Sequence, residues 1–160
     1  MNMRKIFSEL IFERMNGDDR IFVLTGDLGY MMWDHIRDTH KSRFINVGSA
    51  EQLLIGTSIG LALSGKIPIA YSITPFLLYR PFELLRNYLD HEKIPVKLVG
   101  SGREKDYLHD GISHWSLNEN KIFDVLNNIE TFYPNTEKDL KTLMDDFLYN
   151  GNPSYLNLRK

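Results

Sequence analysis

The 160-residue chain contains no cysteine, which excludes disulfide bonds, thiolate metal sites and a cysteine nucleophile together. It also lacks an uninterrupted apolar run of the ~18 residues that a membrane-spanning helix needs, and acidic residues interrupt the apolar pattern of its N-terminus. Basic residues form no long run and the net charge is −2, so the electrostatic signature of a nucleic-acid-binding protein is missing. We therefore expect a soluble, cytoplasmic protein with no nucleic-acid or membrane partner.

Short apolar segments alternate with segments of helical periodicity along the whole chain. Apolar strands that alternate with helices favour a parallel sheet covered on both faces. No linker, repeat or low-complexity tract divides the pattern, so we predict one α/β domain over residues 1–160, with three α/β/α layers and a mostly parallel six-stranded sheet. The predicted strands are 21–25, 44–47, 67–73, 95–100, 129–133 and 154–158, and the predicted helices are 3–15, 51–64, 77–91, 119–127 and 136–149.

Polar segments follow three of these strands. They are TGDLG at 25–29, GSAEQ at 48–52 and the glycine- and charge-rich loop 100–115. Ligands of parallel sheets bind at the carboxyl ends of the strands. These three segments are therefore the candidate site.

The helix that follows GSA opens on a carboxylate, Glu51, and carries small residues at intervals of four, Gly56, Gly60 and Ser64. Local physics explains Glu51 as a favourable charge at a helix N-terminus. Two interior glycines cost about 1 kcal/mol each relative to alanine, so the stripe predicts a close backbone approach. Tight packing against a neighbouring strand or helix is the favoured explanation.

Five segments in a fixed order carry a family resemblance: RFINVGSAEQ, GTSIGLALSGKIPI, YSITPF, VKLVG and DGISH. Together they resemble the pyrimidine-binding domain of the transketolase family, which includes transketolase and 1-deoxyxylulose-5-phosphate synthase. The resemblance runs from about Arg4 to Arg159. It implies the pyrimidine-binding fold and thiamine diphosphate as the cofactor.

The resemblance also implies residues for the cofactor. Glu51 matches the glutamate that hydrogen-bonds the aminopyrimidine ring, where sharing a proton with a ring nitrogen favours the reactive tautomer. Phe76 matches an aromatic residue that packs against this ring, and Tyr79 is a second candidate. Asp27 and Leu28 match a pair that lies near the cofactor. Without the family, Phe76 would be interpreted as a core residue and Asp27 as a loop cap.

The DGISH segment supplies the expected substrate contacts. His114 matches an active-site histidine that contacts substrate, and Asp110 matches an aspartate that binds a sugar hydroxyl. Histidine suits this role because it titrates near neutrality and can donate to a carbonyl or move a proton. The local alternative is an Asp-Gly turn with a surface histidine.

Arginines are the expected phosphate contacts. Arg4 and Arg159 fall near the two arginines that bind the sugar phosphate in transketolases, with solvated surface charge as the alternative for each. Where the family has another phosphate-contacting histidine, this chain has Gly102 or a close neighbour, and Arg103 is the candidate replacement. This departure argues against an ordinary pentose phosphate and favours an unusual sugar, such as a branched or nucleotide-linked one.

The family binds the diphosphate through Mg²⁺ or Ca²⁺ with a G-D-G…N motif, and this sequence has no such motif. The resemblance therefore implies a split enzyme in which this subunit supplies the pyrimidine pocket and no metal ligand. A partner subunit would bind the diphosphate and metal in a heterotetramer. The leading function is transfer of a two-carbon ketol unit from a ketose to an aldehyde. The alternatives are decarboxylation of a 2-oxo acid with the same cofactor, and a non-catalytic regulatory or binding subunit.

Overall fold

Six strands form one sheet in which every neighbouring pair runs parallel, in the order β2-β1-β3-β4-β6-β5. The computed structural model describes residues 2–160. Its sheet confirms the prediction of a six-stranded parallel α/β fold, and each observed strand lies within two residues of its predicted bounds. The strands are β1 (Ile21–Thr25), β2 (Phe44–Asn46), β3 (Ile67–Ile73), β4 (Lys97–Ser101), β5 (Glu130–Phe132) and β6 (Ser154–Leu158).

Helices cover both faces of this sheet. The region between β1 and β2 contains a short helix that was not predicted from the sequence. The helix predicted over 3–15 has the predicted bounds, and those predicted over 51–64, 119–127 and 136–149 are present with shifted ends. Between residues 2 and 160 no helix is long and apolar enough to span a membrane. The helices are α1 (Met3–Met15), α2 (Asp34–Thr39), α3 (Glu51–Leu63), α4 (Thr74–Tyr79), α5 (Phe82–Leu84), a π-helix (Leu85–His91), α6 (Glu119–Phe123) and α7 (Glu137–Tyr149).

Alternate residues of the strands build two separate hydrophobic cores, one on each face. In β1, Val23 joins the core under α1, α2 and α7, whereas its neighbour Leu24 joins the core under α3, α4, the π-helix and α6. The same alternation places Val99 and Leu98 of β4 on opposite faces. Side chains of successive strand residues point to opposite faces, so continuously apolar strands require a helical layer on each side.

The long helix predicted over 77–91 is wrong in its start and its continuity. Helix α4 begins at Thr74, with Pro75 in its first turn, where a missing N–H is tolerated. Pro81 then interrupts the segment because its ring has no N–H to continue the hydrogen-bond ladder, and it is the N-cap of α5. The chain continues as the π-helix from Leu85 to His91.

The small-residue stripe of α3 does not pack inside the domain. Gly56, Gly60 and Ser64 are all exposed, and a Cβ atom added at either glycine would have no described atom within 4 Å. The expected close packing against a neighbouring strand or helix is therefore wrong. Within residues 2–160, the stripe lies on the outer face of α3.

Candidate active site

Glu51 is the first residue of α3, directly after the turn that follows β2. Its side chain is only 5% exposed, although it sits at the carboxyl edge of the sheet. The carboxylate accepts a hydrogen bond from Nη1 of Arg80 at 2.8 Å. Arg80 follows the last residue of α4, so a contact between two different helix ends holds this carboxylate. The structure therefore gives Glu51 a specific partner beyond the helix N-terminus.

Helix α4 brings an aromatic ring to the same place. Phe76 lies one helical turn before Arg80, and the guanidinium carbon of Arg80 lies 3.7 Å from the centroid of the Phe76 ring. The imidazole of His114 packs edge-on against this ring, with 4.8 Å between centroids and 66° between planes. Three predicted residues from separate segments thus form one cluster, in which Arg80 joins Glu51 to Phe76 and the Phe76 ring contacts His114. Their chemical roles stay predictions.

The loop that carries His114 also carries Asp110, but on its outer side. Residues 108–110 and 112–114 form two short 3₁₀ turns, joined by Gly111 at φ 80°. Asp110 is exposed, whereas His114 is half-buried and its Nδ1 lies 2.9 Å from the hydroxyl of Ser113. The structure therefore places His114, and not Asp110, in contact with Phe76.

Asp27 and Leu28 occupy the turn after β1. Asp27 has a φ of 59°, and its backbone N–H donates to Asn46 at the end of β2. The Tyr30 hydroxyl and the Asn46 amide donate to the Asp27 carboxylate and hold its pKa below the ordinary value. The Leu28 carbonyl accepts from Thr25. These bonds shape the turn, and a cofactor contact for either residue stays a prediction.

A second cluster at this edge is centred on Tyr107. Its hydroxyl lies 2.7 Å from the hydroxyl of Ser101, the last residue of β4, and accepts from Nη1 of Arg4 at 3.3 Å. The His114 ring lies 6.1 Å away, so Tyr107 connects the two clusters. Arg159 adds positive charge nearby, 4.0 Å from Asp106 on the same loop.

Arg4 also borders an open cavity of about 370 Å³ between the start of α1 and the turn after β1. Its Nε is buried and has no hydrogen-bond partner among the described residues. Tyr71 of β3 lines the same cavity, and burial raises the pKa of its hydroxyl. An arginine with an unused donor beside a cavity suits an anionic group.

Arg103, the predicted replacement for a phosphate-contacting histidine, points elsewhere. Its side chain is buried, and Nε and Nη2 donate to the side chain and carbonyl of Asn157 at 2.7 and 2.9 Å. The remaining bonds go to Asn135 and to the Pro134 carbonyl, each at 2.7 Å. This guanidinium joins the loop after β4 to β6 and to residues 134–135, and none of these bonds goes to His114 or Arg4.

A buried polar network lies beneath the cluster. The Nδ2 atom of Asn157 is within hydrogen-bonding distance of the Thr74 hydroxyl, the Gly102 carbonyl, the Tyr155 hydroxyl and a Glu119 oxygen. Burial raises the pKa of the Glu119 carboxyl to about 7, against opposing hydrogen bonds and the charge of Arg103.

Tyr79, the second candidate for the pyrimidine ring, lies on the Glu119 side. It is 46% exposed, and its pKa is raised first by partial burial and then by the nearby Glu119 charge. No aromatic ring pair within residues 2–160 joins Tyr79 to Phe76. Arg80 and Glu119 were not predicted from the sequence. Only the four-residue spacing from Phe76 to Arg80 pointed to one of them, because residues at this spacing share one helix face.

Residues 2–160 contain no group of three or more His, Asp or Glu side chains arranged to hold a metal ion. The fold and these contacts define a parallel α/β domain with a buried carboxylate, an aromatic ring and an imidazole at the carboxyl edge of its sheet, where sheets of this class bind their ligands.

Comparison with known proteins gives the family. The family model "Transketolase, pyrimidine binding domain" matches residues 1–160. An apulose-4-phosphate transketolase subunit of Actinobacillus succinogenes is 30% identical over 72% of this chain and 37% of that protein. The 6-deoxy-6-sulfo-D-fructose transketolase subunit SqwH of Clostridium sp. is 28% identical over 98% of this chain and 49% of that protein.

A solved structure described as "Split gene transketolase, inactive beta4 tetramer" aligns with a TM-score of 0.87 and 26% identity, covering 99% of this chain and 51% of that one. The chain belongs to the transketolase pyrimidine-binding domain family, as the resemblance predicted. It spans about half the length, or less, of these relatives.

Proposed function

We propose that this chain supplies the pyrimidine half of a thiamine diphosphate site in a split transketolase, which transfers a two-carbon ketol unit from a ketose to an aldehyde. The observation that carries the proposal is the cluster of Glu51, Phe76 and His114 at the carboxyl edge of the sheet. These residues fit the aminopyrimidine ring, because a buried carboxylate can share a proton with a ring nitrogen and an aromatic face can stack on the ring.

Glu51, Phe76 and His114 each have a different part in this function. When bound, thiamine diphosphate supplies a carbon nucleophile that attacks a carbonyl and allows the adjacent carbon–carbon bond to break. Glu51 holds and returns the proton of the ring nitrogen, and its low exposure keeps water from competing for that proton. Phe76 offers the stacking surface, and the His114 imidazole at its edge donates to, or accepts from, a substrate oxygen.

The anionic end of the substrate is proposed to lie near Tyr107. The buried Nε of Arg4 has no hydrogen-bond partner among residues 2–160, and the Arg159 guanidinium lies 4.0 Å from Asp106, on the loop that carries Tyr107. One relative is named for a sulfo-sugar and another for a sugar phosphate, so an anionic group on the sugar is common to both names. We expect a sugar with a phosphate or sulfonate at the end remote from its carbonyl.

The diphosphate and its Mg²⁺ or Ca²⁺ are proposed to be bound by a partner subunit in a heterotetramer. Two relatives are named as transketolase subunits. The solved split-gene transketolase, in which "beta4" refers to the subunits of a tetramer, is described as inactive. Both observations support a need for a second kind of subunit.

The test reconstitutes the chain with the diphosphate-binding subunit. Calorimetry should detect binding of thiamine diphosphate with Mg²⁺ by the pair and not by this chain alone. Glu51→Gln should lower ketol transfer by about 100-fold or more, the range for a lost acid–base group. Glu83→Gln, which changes a carboxylate of α5 outside the cluster, is the matched control and should leave activity unchanged. Full activity of Glu51→Gln would support the regulatory alternative, and turnover of pyruvate but not xylulose 5-phosphate would support decarboxylation.

A further inference from the structure

Arg80 engages both groups that the proposed function assigns to the pyrimidine ring. Its Nη1 donates to Glu51 at 2.8 Å. Its guanidinium carbon lies 3.7 Å from the centroid of the Phe76 ring, a distance at which a cation stacks directly on the aromatic face. One side chain therefore fills the hydrogen-bonding position and the stacking position at the same time.

The guanidinium resembles the ring in the properties that matter at this site. It is planar and cationic, and its N–H groups lie in the plane, where they donate to a carboxylate. An aminopyrimidine that has taken up a proton is also a planar cation with an in-plane N–H, and it bonds a carboxylate by the same charge-assisted geometry. The two groups therefore compete for one carboxylate and one ring face.

We propose that Arg80 is an internal stand-in for the pyrimidine ring, which fills the site of the free subunit and moves out when the cofactor enters. This inference rests on the proposed function. The Arg80 side chain is 48% exposed, whereas that of Glu51 is 5% exposed, so the arginine has a path into solvent that the carboxylate lacks. Exchange of one cation for another also means that the buried Glu51 carboxylate is not left unpaired, a state that is strongly unfavourable.

The stand-in lowers the apparent affinity for the cofactor, because only the fraction of subunits with Arg80 displaced can bind. A partly exposed ion pair and one cation–π contact are each modest interactions. Removing them with Arg80→Ala should tighten cofactor binding by about three- to tenfold. Arg80→Lys keeps the charge but loses the planar stack, so we expect an intermediate value.

The matched control lies on the following π-helix. Arg86 is exposed, and its guanidinium donates to the neighbouring Asn87 at 3.0 Å without contacting Glu51 or Phe76. Calorimetric titration of the reconstituted pair with thiamine diphosphate and Mg²⁺ should give the same dissociation constant for Arg86→Ala as for the wild type. Circular dichroism of each variant establishes that it is folded.

A second measurement uses the wild-type chain and so does not depend on how the variants fold. In the ¹⁵N-arginine NMR spectrum, Arg80 should give a guanidinium signal of restricted rotation in the free chain. Addition of the partner, thiamine diphosphate and Mg²⁺ should convert it to the averaged signal of a solvated arginine, while the Arg86 signal stays unchanged.

Unchanged or weaker cofactor binding by Arg80→Ala would overturn the inference, as would a restricted Arg80 signal that persists in the loaded pair. Failure of the proposed function has a different signature. In that case the wild-type pair shows no cofactor binding, or Glu51→Gln keeps full activity, whatever happens at Arg80.

Discussion

Replacement of Glu119 by glutamine should change how the stability of this protein depends on pH. Glu119 opens α6, is 7% exposed and has an oxygen 3.3 Å from the Tyr155 hydroxyl and 3.1 Å from the Asn157 amide. Burial is the largest influence on this carboxyl and raises its pKa from 4.5 to about 7. A glutamine has a similar shape, keeps an oxygen that can accept these bonds and carries no charge at any pH.

The sign follows from where the proton is held. Between pH 4.5 and 7 the folded protein retains a proton on Glu119 that the unfolded chain releases. The contribution to stability is therefore complete at low pH and is lost as the pH rises through the folded-state pKa. With these two pKa values, the free energy of unfolding should fall by roughly 2.5 kcal/mol between pH 5 and pH 8 on account of this carboxyl.

Urea unfolding of the wild type and Glu119→Gln at several pH values between 5 and 8 gives the free energy of unfolding of each. The difference between the two isolates the contribution of the Glu119 carboxyl. The gap between the two should shift by about 2 to 3 kcal/mol in favour of the variant as the pH rises, because other titrating groups cancel in the comparison. Glu83→Gln, which removes an exposed carboxylate in the first turn of α5, is the matched control for the loss of a charge. A pH-independent gap for Glu119→Gln would refute the raised pKa and the protonated state of this buried carboxyl.

Three further substitutions test packing and backbone geometry, each by urea or thermal unfolding. Gly29→Ala should destabilise by about 2 kcal/mol or more, because φ is 81° and the new Cβ would overlap the Trp33 side chain; a stable variant would contradict this geometry. Leu98→Ala, at a fully buried position in β4, should cost about 2–5 kcal/mol, and a loss under 1 kcal/mol would mean that the core collapses around the gap. Thr136→Ala removes the capping box with Asp139 and should cost about 1 kcal/mol, whereas Thr136→Ser should restore most of it.

The sheet was predictable from the sequence because its signal is local. Most strands are short, largely apolar runs bounded by turn residues, and the two hydrophobic cores follow from the alternation of adjacent side chains such as Leu98 and Val99. Helix α7 has a capping box at Thr136 and a clear apolar stripe, so its bounds were predicted to within one residue.

The segment 74–91 was not predictable in the same way. Its apolar spacing fits one long helix, and periodicity alone does not show that Pro81 separates α4 from α5. The π-helix from Leu85 to His91 adds one residue to each hydrogen-bonded turn, and no local sequence pattern predicts this change. Helix α2, only six residues long, falls below the length at which periodicity is informative.

The family resemblance predicted Glu51, Phe76 and His114 as site residues, and the structure brings them together. It gave no sign of Arg80, because the contact with Glu51 spans 29 positions of sequence and depends on where α4 ends. The exposure of the α3 glycines was missed for the same reason, since spacing along a helix does not tell which face lies inward.

The buried network explains why residues so far apart in sequence keep a fixed relation at the site. Asn157 of β6 is within hydrogen-bonding distance of Thr74 at 3.1 Å and of the Gly102 carbonyl at 3.2 Å, and the Thr74 hydroxyl donates to that carbonyl at 2.7 Å. Thr74 is the first residue of α4, which carries Phe76, and Gly102 begins the loop that carries His114. Because these bonds are shielded from water, a partner lost from any of them leaves a buried polar group unsatisfied, so the network favours a single arrangement of the helix and the loop. The network therefore ties the start of α4 and the start of this loop to the same residue of β6, which limits how far the segments that carry Phe76 and His114 can move apart.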